Sequence, residues 1–193
     1  AGEVFHFAWE GLPHCLNSFR VIREVFPYLK KKHKIALHLV TALEYGLFMG
    51  KYWKRNTTDF VRELFNFDEI FLYQWHEKLC PHILAACDMA LVPLLKNNPF
   101  DWGKPEDKLL IFWLMGLPTI ASGNPSHTRS MEAAGLPMTC TTTDSWIETL
   151  DRYMSDEKAR ADAGNRGRTY ALEYNADEKI LNQWDNLFES IMK

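Results

Sequence analysis

The sequence lacks the features that mark several large classes of protein. Its 193 residues contain no apolar stretch approaching the ~20 residues of a transmembrane helix, and its first residues lead into a strand-like run rather than a signal peptide. The four cysteines form no Cys-x-x-Cys pair, which favours reduced thiols over disulfides or a zinc site. A formal net charge of −3 lacks the positive excess typical of nucleic-acid binding. We therefore predict a cytoplasmic protein that has no transmembrane segment and binds no nucleic acid.

Several short catalytic and cofactor motifs are also missing. No Gly-x-Gly-x-x-Gly occurs, so a dinucleotide oxidoreductase loses its main support, and no phosphate-binding loop of the Gly-x-x-x-x-Gly-Lys-Ser/Thr type is present. The absence of Gly-x-Ser-x-Gly argues against an α/β-hydrolase. His76-Glu77 lacks the second histidine that a zinc-binding helix requires. We predict neither a metal nor a cofactor.

What the sequence does contain is a regular alternation of short apolar runs and helical patterns. Six runs have the length and composition of strands, at residues 4–9, 35–41, 70–75, 89–93, 118–121 and 138–141. The last quarter has only helical spacing. This order predicts an α/β fold, a doubly wound parallel sheet of about six strands (Rossmann-like) closed by C-terminal helices. With no repeat and no low-complexity linker, residues 1–193 form one predicted domain.

The same topology predicts where a ligand binds. In doubly wound sheets ligands lie beyond the carboxyl ends of the strands, where the strand order reverses. Three loops follow predicted strands on that side, at residues 10–18, 94–104 and 122–127. We expect any functional site to be built from them.

One part of the chain resembles a known family. It comprises the apolar Asp-Met-Ala-Leu-Val-Pro run at 88–93, the segment Lys-Pro-Glu-Asp-Lys-Leu-Leu at 104–110, and Gly-Leu-Pro-Thr-Ile-Ala-Ser at 116–122. This order of strand, loop, helix and Gly-x-Pro strand resembles the C-terminal, donor-binding domain of retaining glycosyltransferases of the GT-B architecture. The resemblance implies a Rossmann-like half of a two-domain enzyme.

The resemblance also implies a site for a nucleotide-sugar, which is a substrate and not a cofactor. A helix beginning at Pro105 would offer free backbone N–H groups to the diphosphate, with Lys104 and Lys108 beside it. Gly11 resembles the glycine that lets the backbone approach the ligand after the first strand, and Ser122 and Gly123 would line the cleft. The alternative for both lysines is an ordinary solvated helix start.

The sequence departs from the family at its two signature glutamates. Counting back from the Gly-x-Pro motif places them at Gly103 and Ile111, neither of which is acidic. Isoleucine cannot accept hydrogen bonds from a ribose diol, so this contact is replaced or lost. Glu106 is a nearby acid that can take part of the role. The catalytic residues are not assigned.

Three hypotheses follow. The first is the donor-binding part of an enzyme that moves a sugar, with retention, to an acceptor glycan or lipid-linked acceptor in polysaccharide biosynthesis. Its partner would be an N-terminal GT-B domain that is absent from this chain. That domain would carry any contact with the inner membrane, and without it the chain would be inactive. The second is a catalytically degenerate binding or assembly module, and the third a nucleotide-sugar epimerase, for which acid/base residues cannot be assigned.

Overall fold

The computed structural model describes residues 3–47, 53–174 and 176–192. Six strands form one sheet: β1 (Phe5–Glu10), β2 (Ile35–Thr41), β5 (Ile70–Gln74), β6 (Met89–Val92), β7 (Thr119–Ser122) and β8 (Thr139–Cys140). Every pairing in this sheet is parallel, and the strand order is β5-β2-β1-β6-β7-β8. The predicted doubly wound sheet is confirmed, and its order reverses between β1 and β6.

The centre of the sheet is buried on both faces. All four residues of β6 and of β7 are buried, as expected of parallel strands covered by helices on either side. On one face Trp9 packs edge-on against Phe19, with ring centroids 5.8 Å apart. Strands β6 and β7 could be predicted from the sequence because a strand that is buried on both faces is a short, continuous apolar run.

A small antiparallel hairpin was not predicted. It consists of β3 (Glu44–Leu47) and β4 (Trp53–Asn56), which pair only with each other among the described residues. Its strands contain Glu44, Gly46, Lys54 and Arg55, so they lack the apolar run on which the strand prediction depends.

Helices connect and flank the strands. A 3₁₀ helix (Pro13–Ile22) precedes nine α-helices in the described residues: α1 (Val25–Lys30), α2 (Thr57–Leu64), α3 (Cys80–Ala85), α4 (Pro99–Trp102), α5 (Asp107–Leu114), α6 (Pro125–Ala133), α7 (Thr143–Ser155), α8 (Glu157–Tyr174) and α9 (Asp177–Ile191). Two helices, the 3₁₀ helix and α1, connect β1 to β2, and their apolar residues Phe19, Ile22, Val25, Phe26 and Leu29 are buried.

Two helix starts near the expected ligand loops differ from the prediction. Helix α5 begins at Asp107, two residues after Pro105, and the chain leaves the helix through Gly116, whose φ of 74° places it in the left-handed region, as its role as a C-terminal cap requires. The predicted loop at 122–127 already enters α6 at Pro125, because the Asn124 side chain accepts a hydrogen bond from the backbone N–H of His127.

The C-terminal helices confirm the expected helical tail. Helix α7 starts with a capping box in which Thr142 and Ser145 satisfy each other's backbone N–H groups. Helix α8 lies against α5, where Gly167 faces Trp113 of that helix, and Gly164 faces Gly116 in the segment that follows α5. Helix α9 carries large apolar side chains that remain exposed: Ile180, Leu181, Trp184, Leu187, Phe188 and Ile191.

Candidate functional site

A cavity of about 230 Å³ lies where the strand order reverses. Its floor is formed by the carboxyl end of β1, at Trp9, and by the residues that end β6, Val92 to Leu94. The start of α5 and the first turn of α6 form its walls. The structure thus opens a cavity at the position that the topology predicts for ligand binding.

The first charged group of the cavity is an ion pair across the switch point. Lys108 Nζ, in the first turn of α5, lies 2.7 Å from Glu10 Oε2 at the end of β1. Gly11 is next to this pair: a Cβ atom there would lie 2.8 Å from the Trp9 ring and 3.3 Å from Lys108 Nζ. Gly11 and Lys108, two of the predicted residues, are therefore in contact, and the absence of a side chain at Gly11 leaves room for the lysine.

Lys104 belongs to a second, more buried cluster. Its Nζ lies 2.6 Å from Asp101 Oδ1 and 3.5 Å from Cys15 Sγ, while Ser18 donates a hydrogen bond to Asp101 Oδ2. Burial acts to lower the pKa of Lys104, but the hydrogen bonds and the electrostatic attraction from Asp101 and Cys15 together outweigh this and raise the pKa above its ordinary value. Lys104 is consequently a permanent cation at the cavity wall.

The start of α5 provides backbone donors at the same place. The N–H groups in the first turn of a helix have no intrahelical partner, and in α5 no side chain caps them either. Pro105, Asp107 and Lys108 line the cavity. The free donors and the positive end of the helix dipole thus lie beside both lysines, an arrangement that favours an anionic group such as a phosphate.

Glu106 is directed elsewhere. Its buried carboxylate accepts hydrogen bonds from Arg129 at 3.1 and 3.2 Å and from the Tyr174 hydroxyl at 3.3 Å. Burial acts to raise the pKa of Glu106, but its backbone hydrogen bond and Arg129 outweigh this and lower it. The residue ties α6 and α8 to the start of α5 and does not line the cavity. The structure therefore does not bring Glu106 to the two lysines.

Ser122 and Gly123 are also separated from the lysines. The Ser122 hydroxyl accepts a hydrogen bond from the Leu94 N–H at 2.8 Å and lines a neighbouring cavity of about 190 Å³. A Cβ atom at Gly123 would lie 3.1 Å from the Thr141 side chain. Both residues hold the loop after β7 in place, next to the main cavity.

The two positions of the missing glutamates have different surroundings. Gly103 ends α4, where its N–H donates to the Pro99 carbonyl. Ile111 is 42% exposed and lies one helical turn beyond Asp107 and Lys108, on the same side of α5. A glutamate at Ile111 would extend the polar side of this helix, and the isoleucine leaves an apolar surface there.

His127 is a cavity residue that sequence reasoning missed. It lies in the first turn of α6, is 1% exposed and lines the cavity. Its Nδ1 is 2.9 Å from the Ser122 carbonyl oxygen. Burial lowers its pKa below the ordinary value of 6.5. His127 ends the predicted loop at 122–127, but the sequence analysis did not single it out. The pattern that could have indicated it is Asn124-Pro125, a typical helix start three residues upstream.

Other features of the described ranges bear on the predicted partners. Among them no group of three or more histidine, cysteine or acidic residues is arranged to hold a metal ion. None of their helices has both the length and the apolar character that crossing a bilayer requires. All four cysteines are free thiols.

Together the sheet order and the helices define the class of fold: a Rossmann-like half of a GT-B architecture. A glycosyltransferase from Rickettsia africae superimposes with a TM-score of 0.72 at 11% identity, covering 100% of this chain and 49% of its own. HepE from Anabaena, solved in complex with UDP, gives a TM-score of 0.71 at 15% identity, with coverages of 96% and 49%. A Listeria monocytogenes protein assigned as a UDP-N-acetylglucosamine 2-epimerase gives 0.54 at 10% identity, with coverages of 96% and 45%.

These similarities confirm the GT-B-type domain at the level of fold. The chain spans less than half the length of each of the three proteins. No family model matches the sequence, and no curated protein is similar to it.

Proposed function

We propose that this chain is the donor-binding domain of a glycosyltransferase that moves a sugar from a nucleotide-sugar, with retention, to a glycan or lipid-linked acceptor. The observation that carries the proposal is the cavity at the switch point, which combines two lysines with the uncapped start of α5. The similar structures of the Rickettsia africae glycosyltransferase and of HepE, solved in complex with UDP, support the same assignment.

The proposed chemistry uses these groups on the leaving nucleotide. As the bond between sugar and diphosphate breaks, negative charge develops on the phosphate oxygen. Lys108, Lys104 and the N–H groups of α5 would stabilise this charge, and Gly11 would allow the close approach of the ligand. Ser122 and Gly123 would support the loop beside the donor, and Glu106 would orient the start of α5 through Arg129.

We also propose that catalysis requires a second domain that carries the acceptor and any contact with the inner membrane. The chain spans less than half of the structures it resembles, and the apolar side chains of α9, such as Trp184 and Phe188, are exposed. Alone, the chain would bind donor and transfer sugar poorly. The cytoplasm, where nucleotide-sugars are made, would be its compartment.

Titration calorimetry of the chain with UDP, GDP and UDP-glucose tests the proposal. We expect one nucleotide to bind, and Lys108→Ala to weaken it about tenfold or more, because a hydrogen bond to a charged group is worth about 1.5–3 kcal/mol. The control is Lys158→Ala, which removes the same charge at an exposed position in α8 outside the cavity. Absence of any binding at millimolar nucleotide would refute the proposal.

A degenerate binding module is the second candidate function. It is favoured by Gly103 and Ile111 at the glutamate positions and by the lysines' own carboxylate partners, Asp101 and Glu10. Nucleotide binding without sugar transfer, measured after the chain is combined with a complete acceptor domain, would support it.

A further inference from the structure

His127 lines the switch-point cavity, and one nitrogen of its imidazole makes no hydrogen bond to the residues that the structure describes. His127 is 1% exposed, and only its Nδ1 has a side-chain hydrogen bond, to the Ser122 carbonyl oxygen at 2.9 Å. Within the described parts of the chain, Nε2 has no partner. Because His127 lines the cavity, Nε2 is available there to a ligand or to water.

The chemistry of the contact fixes what Nε2 can do. A carbonyl oxygen only accepts hydrogen bonds, so Nδ1 of His127 carries the proton and donates it to Ser122. Because burial lowers the pKa of the imidazole, the ring is neutral near pH 7. In this tautomer Nε2 is a hydrogen-bond acceptor, and its partner must be an O–H or N–H donor.

The ring is also held firmly. The N–H of His127 donates to Asn124 Oδ1 at 2.9 Å, and the Asn124 amide donates to the carbonyl oxygens of Trp102 and Lys104 at 3.1 and 2.9 Å. These bonds connect the first turn of α6 to the segment that carries Lys104. The imidazole therefore keeps a fixed orientation relative to the phosphate-facing groups, as a specific contact requires.

The other polar groups of the cavity leave this role open. Lys104 and Lys108 only donate, and their carboxylate partners Asp101 and Glu10 already accept from them. Asp107 is an acceptor, but it is exposed and water can satisfy it. The Ser18 hydroxyl can also accept a hydrogen bond, and it belongs to the cluster around Asp101. His127 is the acceptor that α6 contributes to the cavity.

We infer that His127 Nε2 accepts a hydrogen bond from a hydroxyl group of the bound nucleotide-sugar, either on its ribose or on its transferred sugar. The inference rests on the proposed function and extends it to a residue outside the three segments of the resemblance. It supplies an acceptor where Ile111 cannot provide one. His127 would thus contribute to the specificity of the site for hydroxyl-bearing ligands.

Two substitutions separate Nε2 from the rest of the ring. His127→Asn places an amide N–H near the position of Nδ1 and can keep the bond to Ser122, but it removes the acceptor at Nε2. His127→Gln reaches the position of Nε2 and loses the bond at Nδ1. By calorimetry we expect His127→Asn to weaken the binding of UDP-glucose about tenfold and His127→Gln to retain more of the affinity. Urea unfolding of each variant verifies that the chain is folded.

The ligands distinguish the two hydroxyl sources. If the ribose is the donor, 2′,3′-dideoxy-UDP binds the unmodified chain about tenfold more weakly than UDP does, and His127→Asn abolishes the difference. If the transferred sugar is the donor, His127→Asn binds UDP normally and UDP-glucose more weakly. Either result supports the inference.

Two results would overturn it while leaving the proposed function intact. One is that His127→Asn binds both UDP and UDP-glucose as tightly as the unmodified chain does. The other is an equal loss in the folded Asn and Gln variants, which would show that ring packing and not Nε2 matters. If the unmodified chain binds no nucleotide, the proposed function fails and this inference fails with it.

Discussion

At the scale of single residues, the ion pair of Lys108 and Glu10 bears most directly on the proposed binding of a phosphate. Lys108 Nζ lies 2.7 Å from Glu10 Oε2, and the two side chains are 32% and 20% exposed, respectively. A phosphate that binds Lys108 must compete with the carboxylate of Glu10. The ion pair therefore keeps the lysine ordered but reduces its net attraction for an anion.

This competition predicts that Glu10→Gln tightens the binding of UDP. The expected gain is about two- to five-fold, because a partly exposed ion pair is worth roughly 0.2–1 kcal/mol. Glu132→Gln makes the same change in net charge at an exposed position in α6 and should leave the affinity unchanged. Calorimetry at two salt concentrations measures the effect, and weaker binding by Glu10→Gln would contradict it.

The lowered pKa values of two histidines predict how the stability of the fold depends on pH. Burial lowers the pKa of His127, and burial together with His6 lowers the pKa of His38, both below 6.5. Between those lowered values and about 6.5 the unfolded chain binds protons that the folded chain excludes. The free energy of unfolding should therefore fall as the pH drops below about 6.5, by up to about 1.4 kcal/mol per pH unit for each histidine.

Urea unfolding at pH 7.5, 6.5 and 5.5 measures this dependence. His127→Asn should reduce the slope because it removes one of the two groups. His14→Asn is the matched control, since His14 is exposed, and should leave the slope as it is. A stability that rises on acidification through this range would show that the sign is wrong.

At the scale of secondary-structure elements, α5, which carries Lys108, packs against α8. A Cβ atom at Gly167 in α8 would lie 2.7 Å from the Trp113 ring of α5, which is fully buried. Gly167→Ala should destabilise the fold by about 1–2 kcal/mol, because overpacking costs about 1–3 kcal/mol and alanine regains up to about 1 kcal/mol of helix propensity.

Arg168→Ala, at the next and exposed position of α8, provides the control for Gly167→Ala. Its unfolding free energy should stay within about 0.5 kcal/mol of the unmodified chain. Thermal and urea unfolding measure both variants. Equal stability of the two would mean that α5 and α8 accommodate the added methyl group with no loss of unfolding free energy.

The elements also show what the sequence could predict. All six strands of the sheet were found, because their pattern is local: short apolar runs bounded by turns. The hairpin was missed since its strands contain charged residues and glycine. The lysines were found from the helix start, yet Glu10 is 98 residues from Lys108 in sequence, and no local pattern indicates such a pair. The burial of His127 arises in the same way, from contacts between distant segments.

At the scale of the whole molecule, α9 differs from the other helices. Trp184 and Phe188 are each 54% exposed and stack on one another, with ring centroids 5.8 Å apart. Replacing both with serine should change the free energy of unfolding by less than about 1 kcal/mol, because little buried area is lost. Trp146→Ala, at a residue 2% exposed, should cost about 3–5 kcal/mol.

Urea unfolding separates these two outcomes, and light scattering adds a second measurement. We expect the Trp184 and Phe188 double variant to associate less with itself at high concentration, because exposed apolar patches promote association. A large loss of stability in the double variant would show instead that α9 is packed against the domain in solution.

The glycines of α8 have a mechanical consequence for the site. At Gly164 a Cβ atom would lie only 2.3 Å from the carbonyl oxygen of Gly116, so the backbones of the two segments touch directly. No flexible side chain lies between the two segments at this point, so α8 and the end of α5 are expected to move together. We therefore expect a displacement of α5 to be passed on to α8, whose Tyr174 in turn hydrogen-bonds to Glu106 at the start of α5.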